Sequence, residues 1–282
     1  MSRSSQRTLS QGITLSASET NGKPPRPKGG GSHSYRYAEF TGEKKAWLRE
    51  IILEHRVYVP TLSELNDPAD GRPRLAWKSE DELYRFFYNG PCGVLNRAPN
   101  MTVEEQVREA VILDLSIRKH GADVLQRMMA KELNARLQER WRIYSLSKRY
   151  DNMSLWAKYA GNHSGYCLEF MNEGPFFGRA REVVYDQSFR IDINNLNTCN
   201  GEWLFCKSGD WRNEEEVRIV VARNSDGKVA IDPRLLTRII LGRNMQEADR
   251  VQIRNWAQQR EPELTVVSAY YDEFEQSLKL SM

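Results

Sequence analysis

The chain has 282 residues, 40% of them hydrophobic and 28% charged, which places it among soluble globular proteins. The formal charge of +3 is unevenly placed: residues 1–32 hold Arg3, Arg7, Lys23, Arg26 and Lys28 against Glu19, so residues 33–282 carry −1. A near-neutral body offers no electrostatic footprint for strong phosphate-backbone binding, and nucleic acid is not an expected partner.

No stretch approaches the run of about 18 apolar residues that a membrane span needs, and the N-terminus lacks a signal-peptide core. A cytoplasmic protein without a membrane partner is therefore expected. Residues 1–32 are rich in Ser, Gly, Pro and Arg and cannot bury enough surface to offset the entropy of ordering, so a disordered basic tail is expected there. Cys92, Cys167, Cys199 and Cys206 form no CxxC pair, and no histidine lies near enough to complete a zinc pattern. They read as free thiols, and no metal is expected.

Ordered structure is predicted from SYRYAEF, a short strand. In GEKKAWLREIILEH, Trp47, Leu48, Ile51 and Ile52 fall on one stripe of an amphipathic helix. A strand in RVYVP follows, and Asn66-Asp67-Pro68 forms a turn. Thr102 and Glu105 make a capping box for a helix through about Lys119. A second long helix turns Val124, Leu125, Met128, Met129 and Leu137 inward. Short strands then dominate, in RIYSLS, GYCLEF, REVVYD, EEVRIVVA, TRIILG and LTVVSAYY, with one helix at about 246–259. Helices early and strands late predict an α+β fold, and the lack of a composition break predicts one domain over 33–282.

Four stretches invite chemistry. In WRNEEEVRIVVA, Val217, Ile219 and Val221 share one strand face, leaving Glu214, Glu216 and Arg218 on the other. That face is either a solvated ion pair or part of a cleft. In YRY, Arg36 lies opposite Tyr35 and Tyr37 and is either a surface arginine of an edge strand or a clamp for phosphate or carboxylate. In LNDPAD, Asn66 and Asp67 are a turn or a source of polar ligands. In LWAKYAGNHSGYCLEF, Trp156, Tyr159 and His163 stand at i, i+3 and i+7, as packing residues or as a pocket wall. No Walker loop, HExxH, GxSxG or GxGxxG motif is present.

Taken in order, these segments resemble a bacterial family of uncharacterised proteins, the domain of unknown function 2971, over about residues 34–281. The motifs that carry the resemblance are Tyr35–Tyr37, Leu65–Asp70, Leu155-Trp156, Tyr159-Ala160, Asn162–Gly165, Lys207, Trp211, Glu214/Glu216/Arg218 and IILGRNM. Leu65 departs from the phenylalanine usual before Asn-Asp-Pro, and the segment between Tyr185 and Lys207 is short. Within that family reading His163 and Gly165 become candidates for a pocket rim, with Trp156 packing.

More distantly, the layout resembles ADP-ribosyltransferases. That likeness implies NAD as substrate, with Arg36, and beside it Tyr35, Tyr37 and Asn66, binding the dinucleotide. It implies Glu216 as the glutamate that orients ribose and stabilises an oxocarbenium-like centre, with Glu214 as the second acid and His163 assisting. The middle-strand serine of that pattern has no clear counterpart, Tyr58 and Ser63 both being available. An NAD-consuming transferase, in the manner of a toxin or defence effector, is thus one expectation. A binding or scaffold protein is the second. A metal-dependent nuclease built on Asp67 or Asp70 with Glu216 is the third, weakened by Arg218 where lysine is wanted.

Overall fold

The structure, a computed structural model, describes residues 33–67, 69–72, 75–79, 81–82, 85, 101–121, 123, 127, 131, 135, 140–186, 190–192, 201–222 and 226–281. The expected tail, Pro68, Cys92, Cys199 and the inward residues of the second long helix lie outside the described residues.

The chain begins with β1 (His33–Ala38), α1 (Gly42–Leu53), β2 (Arg56–Tyr58) and β3 (Leu75–Ala76). Then come α2 (Val103–His120), β4 (Trp141–Ser147), α3 (Met153–Tyr159), β5 (Tyr166–Met171) and α4 (Gly174–Phe177). The short strands β6 (Arg181–Glu182), β7 (Val184–Tyr185), β8 (Ile191–Asp192) and β9 (Cys206–Lys207) lead to β10 (Glu216–Ala222) and β11 (Lys228–Ala230). The chain closes with β12 (Leu236–Leu241), α5 (Glu247–Gln258), β13 (Thr265–Asp272) and β14 (Ser277–Ser281). The fold is α+β. Among the described residues no helix is long and apolar enough to cross a membrane.

Contacts gather into two compact units. One takes in residues 73–134 and 190–200. In it β3 and β8 pair in parallel, and α2 starts at the expected capping box, with Thr102 N–H donating to Glu105 Oε2 at 2.7 Å and Glu105 N–H to Thr102 Oγ1 at 3.3 Å.

The other unit comprises residues 27–72, 135–189 and 201–282 and holds an eight-stranded sheet in the order β14-β13-β12-β5-β1-β4-β10-β6. Neighbours are antiparallel except β12 and β13, whose parallel pairing requires a crossover, supplied by α5. Alternation along β5 sends Tyr166, Leu168 and Phe170 into one core with Leu48, Ile51 and Ile52 of α1 and Ile253 and Ala257 of α5. Cys167 points the other way, into a second core with Tyr37, Leu155, Trp156, Ile240 and Val267. Trp47 departs from its predicted stripe: it is 39% exposed and stacks on Tyr58, with ring centroids 5.4 Å apart.

The centre of this sheet is incompletely zipped. β1 pairs with β5 along its whole length and β4 with β10 along its whole length, yet β1 meets β4 at one position, Tyr35 opposite Ser147. Further along the same edge of β4, the segment after β2 takes over, with Ile143 N–H donating to Pro60 O at 2.9 Å. The sheet is therefore open between β1 and Pro60.

Candidate functional site

A cavity of about 370 Å³ occupies this opening. Its lining includes Tyr35, Arg36 and Tyr37 of β1, Trp47 of α1, Tyr58 and Pro60, and Tyr144 and Ser145 of β4. Tyr159, Asn66, Asp70, Lys207, Glu214 and Glu216 complete a polar end. Of the residues expected at a site from sequence, the lining unites Arg36, Tyr35, Tyr37, Asn66, Glu214 and Glu216; His163 is not among them.

Arg36 belongs to a central strand, which corrects the alternative of an edge-strand arginine. Its guanidinium sits 5.0 Å from the Tyr144 ring and Nη1 donates to Ser145 O at 2.6 Å, just past the end of the β1–β4 pairing. A guanidinium has five donors, so this contact leaves others for a ligand. Tyr37 is less free: its hydroxyl donates to Arg149 O at 2.7 Å and its ring packs edge-on to Trp156. Asn66 Nδ2 donates to Tyr159 Oη at 3.1 Å. Asp67 behaves as the turn reading expects, Oδ1 accepting from Ala69 N–H at 2.8 Å.

The acidic end is a buried charge cluster, which corrects the alternative of a solvated ion-pair face. Arg218 is fully buried; Nε donates to Glu216 Oε1 at 2.6 Å, Nη2 to Asp70 Oδ2 at 2.6 Å, and Nη1 to Leu204 O at 2.8 Å. Lys207 Nζ bridges Glu214 Oε2 at 2.7 Å and Glu216 Oε2 at 2.9 Å. Glu214 lies in the 3₁₀ segment Gly209–Glu214 rather than in the strand. A left-handed Glu215 (φ 44°) then turns the chain into β10, so Glu214 and Glu216 still converge. Glu214 Oε1 also accepts from Tyr159 Oη at 2.7 Å. Burial and the neighbouring Glu214 push that phenol's pKa above its usual range.

Burial alone would raise the Glu216 pKa, but Arg218 and Lys207 outweigh it and hold the carboxyl at about 2, against an ordinary 4.5. Burial dominates at Asp70 and pushes its pKa up. A depressed carboxyl contributes stability that is present above its unfolded value and lost as pH falls towards its folded one. Glu216 thus contributes stability that is fully present above about pH 5 and is lost as pH falls towards about 2, partly offset by Asp70. Urea midpoints are expected to fall more steeply over that window in wild type than in Glu216→Gln; parallel slopes would contradict the ion-pair assignment.

The expectation of His163 at a pocket rim is not met. Asn162 and His163 both take positive φ (51° and 67°), as a tight turn requires, but the imidazole is buried and stacks on Trp156 with ring centroids 6.0 Å apart. Gly165 is needed for packing: a Cβ there would stand 2.2 Å from Ala38 O. His163 O and Gly165 O accept from Asn244 N–H and Gly242 N–H at 2.9 and 2.8 Å, so the Asn-His-Ser-Gly turn locks the end of β12. Trp156 packs, as its sequence reading proposed. Ser63 is not among the lining residues, whereas Tyr58 is.

Lys207 entered the sequence reading only through the family resemblance, and Asp70 only through its motif there and as a nuclease candidate; neither was expected as a partner of the Glu214/Glu216/Arg218 face. Lys207 lies seven residues before Glu214 on a two-residue strand, and Asp70 is 148 residues from Arg218. For Lys207 the visible signal was a charge at the end of the apolar run WLFC; Asp70, in LNDPAD, gave none. No protein-family model, curated protein or solved structure matches this chain.

Proposed function

We propose that the cavity binds an NAD-type dinucleotide and that the chain cleaves its nicotinamide–ribose bond, as an ADP-ribosyltransferase-like enzyme. One observation carries this reading: Arg36 and the carboxylates of Glu214 and Glu216 line a single cavity. A pyrophosphate requires a cation, ribose hydroxyls require acceptors, and the rings require flat walls, here Tyr144, Trp47 and Tyr58. In the proposed reaction nicotinamide leaves with the electron pair of the C–N bond. Glu216 stabilises the positive charge that develops at the ribose. Capture by an acceptor nucleophile or water completes the transfer, with the released proton passing to Glu214. The family resemblance supports the same place, since its motifs at Tyr35–Tyr37, Leu65–Asp70 and Glu214–Glu216 all contribute to the lining.

One observation favours a second reading, a binding protein without chemistry. Both Glu216 oxygens are engaged by Arg218 and Lys207, which makes that carboxylate a rigid part of the wall. A nuclease is disfavoured on different grounds. Asp70, Glu214 and Glu216 do converge, but the ammonium of Lys207 and the guanidinium of Arg218 hold the position between them.

Nicotinamide release on incubation with NAD separates these readings. The transferase reading predicts release by wild type and a loss of about 100-fold or more in Glu216→Gln protein that remains folded. NAD binding without release would support the binding protein, and neither binding nor release would contradict both.

A further inference from the structure

Beside the polar end of the cavity, one surface lysine occupies an arrangement suited to an external cation. Lys158 Nζ stands 3.4 Å from the centroid of the Trp211 ring, 5.0 Å from that of Tyr159 and 3.5 Å from Glu214 Oε1. Two aromatic faces and a carboxylate around one ammonium are the ingredients of an organic-cation cage. The 3₁₀ segment that carries Trp211 is anchored at both ends. It is capped by Ser208, whose side chain accepts from Asp210 N–H, and is tied to α3 through Asn152 Nδ2 donating to Asn213 O at 2.6 Å.

Charge points the same way. Among the described residues of the buried cluster, three carboxylates, Asp70, Glu214 and Glu216, face two cations, Lys207 and Arg218. Lys158 adds a third cation from outside, through Glu214. Its side chain is 40% exposed, while that of Glu214 is 8% exposed, so the carboxylate is fixed and the lysine is the partner able to leave. A lysine on a flexible stem loses little when it swings into water.

We propose that Trp211, Tyr159 and Glu214 form a subsite for an organic cation, an ammonium or guanidinium group of a second ligand, and that Lys158 is its built-in occupant. The ligand must displace Lys158, so its apparent affinity is the intrinsic affinity multiplied by the fraction of molecules in which the cage is open. Tyr159 and Glu214 also line the cavity, so a cation seated there lies next to whatever fills the main chamber. The subsite does not depend on NAD turnover, and its readout is cation binding alone.

The test uses Lys158→Met, which keeps the stem and removes the charge. Tetramethylammonium chloride is titrated against equal concentrations of sodium chloride, and the thermal midpoint is followed. Lys158→Met is expected to be stabilised at concentrations about tenfold below those that wild type requires. Adding Trp211→Leu, or Glu214→Gln should the first double variant fail to fold, is expected to remove the response. Identical responses in wild type and Lys158→Met, no response in either, or a response that survives both second substitutions would overturn the proposal. Nα-acetyl-lysine methylamide and a free diamine, titrated in parallel, tell a polypeptide side chain from a small amine by which binds more tightly.

Discussion

Arg218→Met is expected to lower the free energy of unfolding by about 3–5 kcal/mol, because it strands two buried carboxylates without their shared cation. Arg218 reaches Glu216 and Asp70 at 2.6 Å each while remaining fully buried. Once it is gone, the Asp70 carboxylate keeps only Lys207 at 3.8 Å among the described residues, none of which bonds its Oδ1. Whole domains are stable by only about 5–15 kcal/mol, so a loss of this size is read readily from urea unfolding. Adding Asp70→Asn and Glu216→Gln to Arg218→Met should recover part of it, since neutral groups are far cheaper to bury than unpaired charges. A single variant within about 1 kcal/mol of wild type would show that the cluster is hydrated rather than sealed.

Trp156→Ala is expected to cost a similar amount, about 3–5 kcal/mol, by opening a cavity in the second core. The indole is fully buried, packs edge-on to Tyr37 with ring centroids 5.3 Å apart, and donates Nε1–H to Tyr150 O at 2.7 Å. His163 stacks on the indole, and its buried Nδ1 has no hydrogen-bond partner among the described residues, so His163→Asn should cost only about 1 kcal/mol. It should also leave ligand binding unchanged, since His163 lies outside the cavity lining. Loss of NAD binding in folded His163→Asn would return that residue to the site. Unfolding midpoints and ligand titrations on the same two variants decide the matter.

The contrast between Trp156, Tyr159 and His163 shows what sequence could and could not resolve. Spacing placed all three on one helical face, but α3 ends at Tyr159 and three consecutive left-handed residues, Gly161, Asn162 and His163, then reverse the chain. His163 consequently folds back over Trp156, whereas Tyr159 turns to Glu214. Local periodicity was reliable where burial is local: Leu48, Ile51 and Ile52 line the inner side of α1, and Val217 and Ile219 the inner side of β10.

It failed where long-range pairing decides. Arg36 had edge-strand surroundings as one reading because its neighbours in the sheet, β5 and β4, are more than a hundred residues away. The charged side of β10 had a solvated reading because its partners, Asp70 and Lys207, come from unrelated segments. Alternation reported which residues share a face but carried no information on what covers that face. Trp47 illustrates the converse: its spacing matched the core stripe, yet the opening between β1 and Pro60 left a cavity for it to line.

The central claim is that the opening between β1 and Pro60 is a dinucleotide site whose cation is Arg36, and calorimetric titration of NAD tests it most directly. Saturable binding to wild type is expected, weakened at least about tenfold in Arg36→Ala through loss of a charge-assisted contact. Binding should be nearly retained in Glu216→Gln, because that carboxylate serves the transition state more than the ground state. No heat of binding with wild type at millimolar NAD, or equal affinity in wild type and Arg36→Ala, would contradict it.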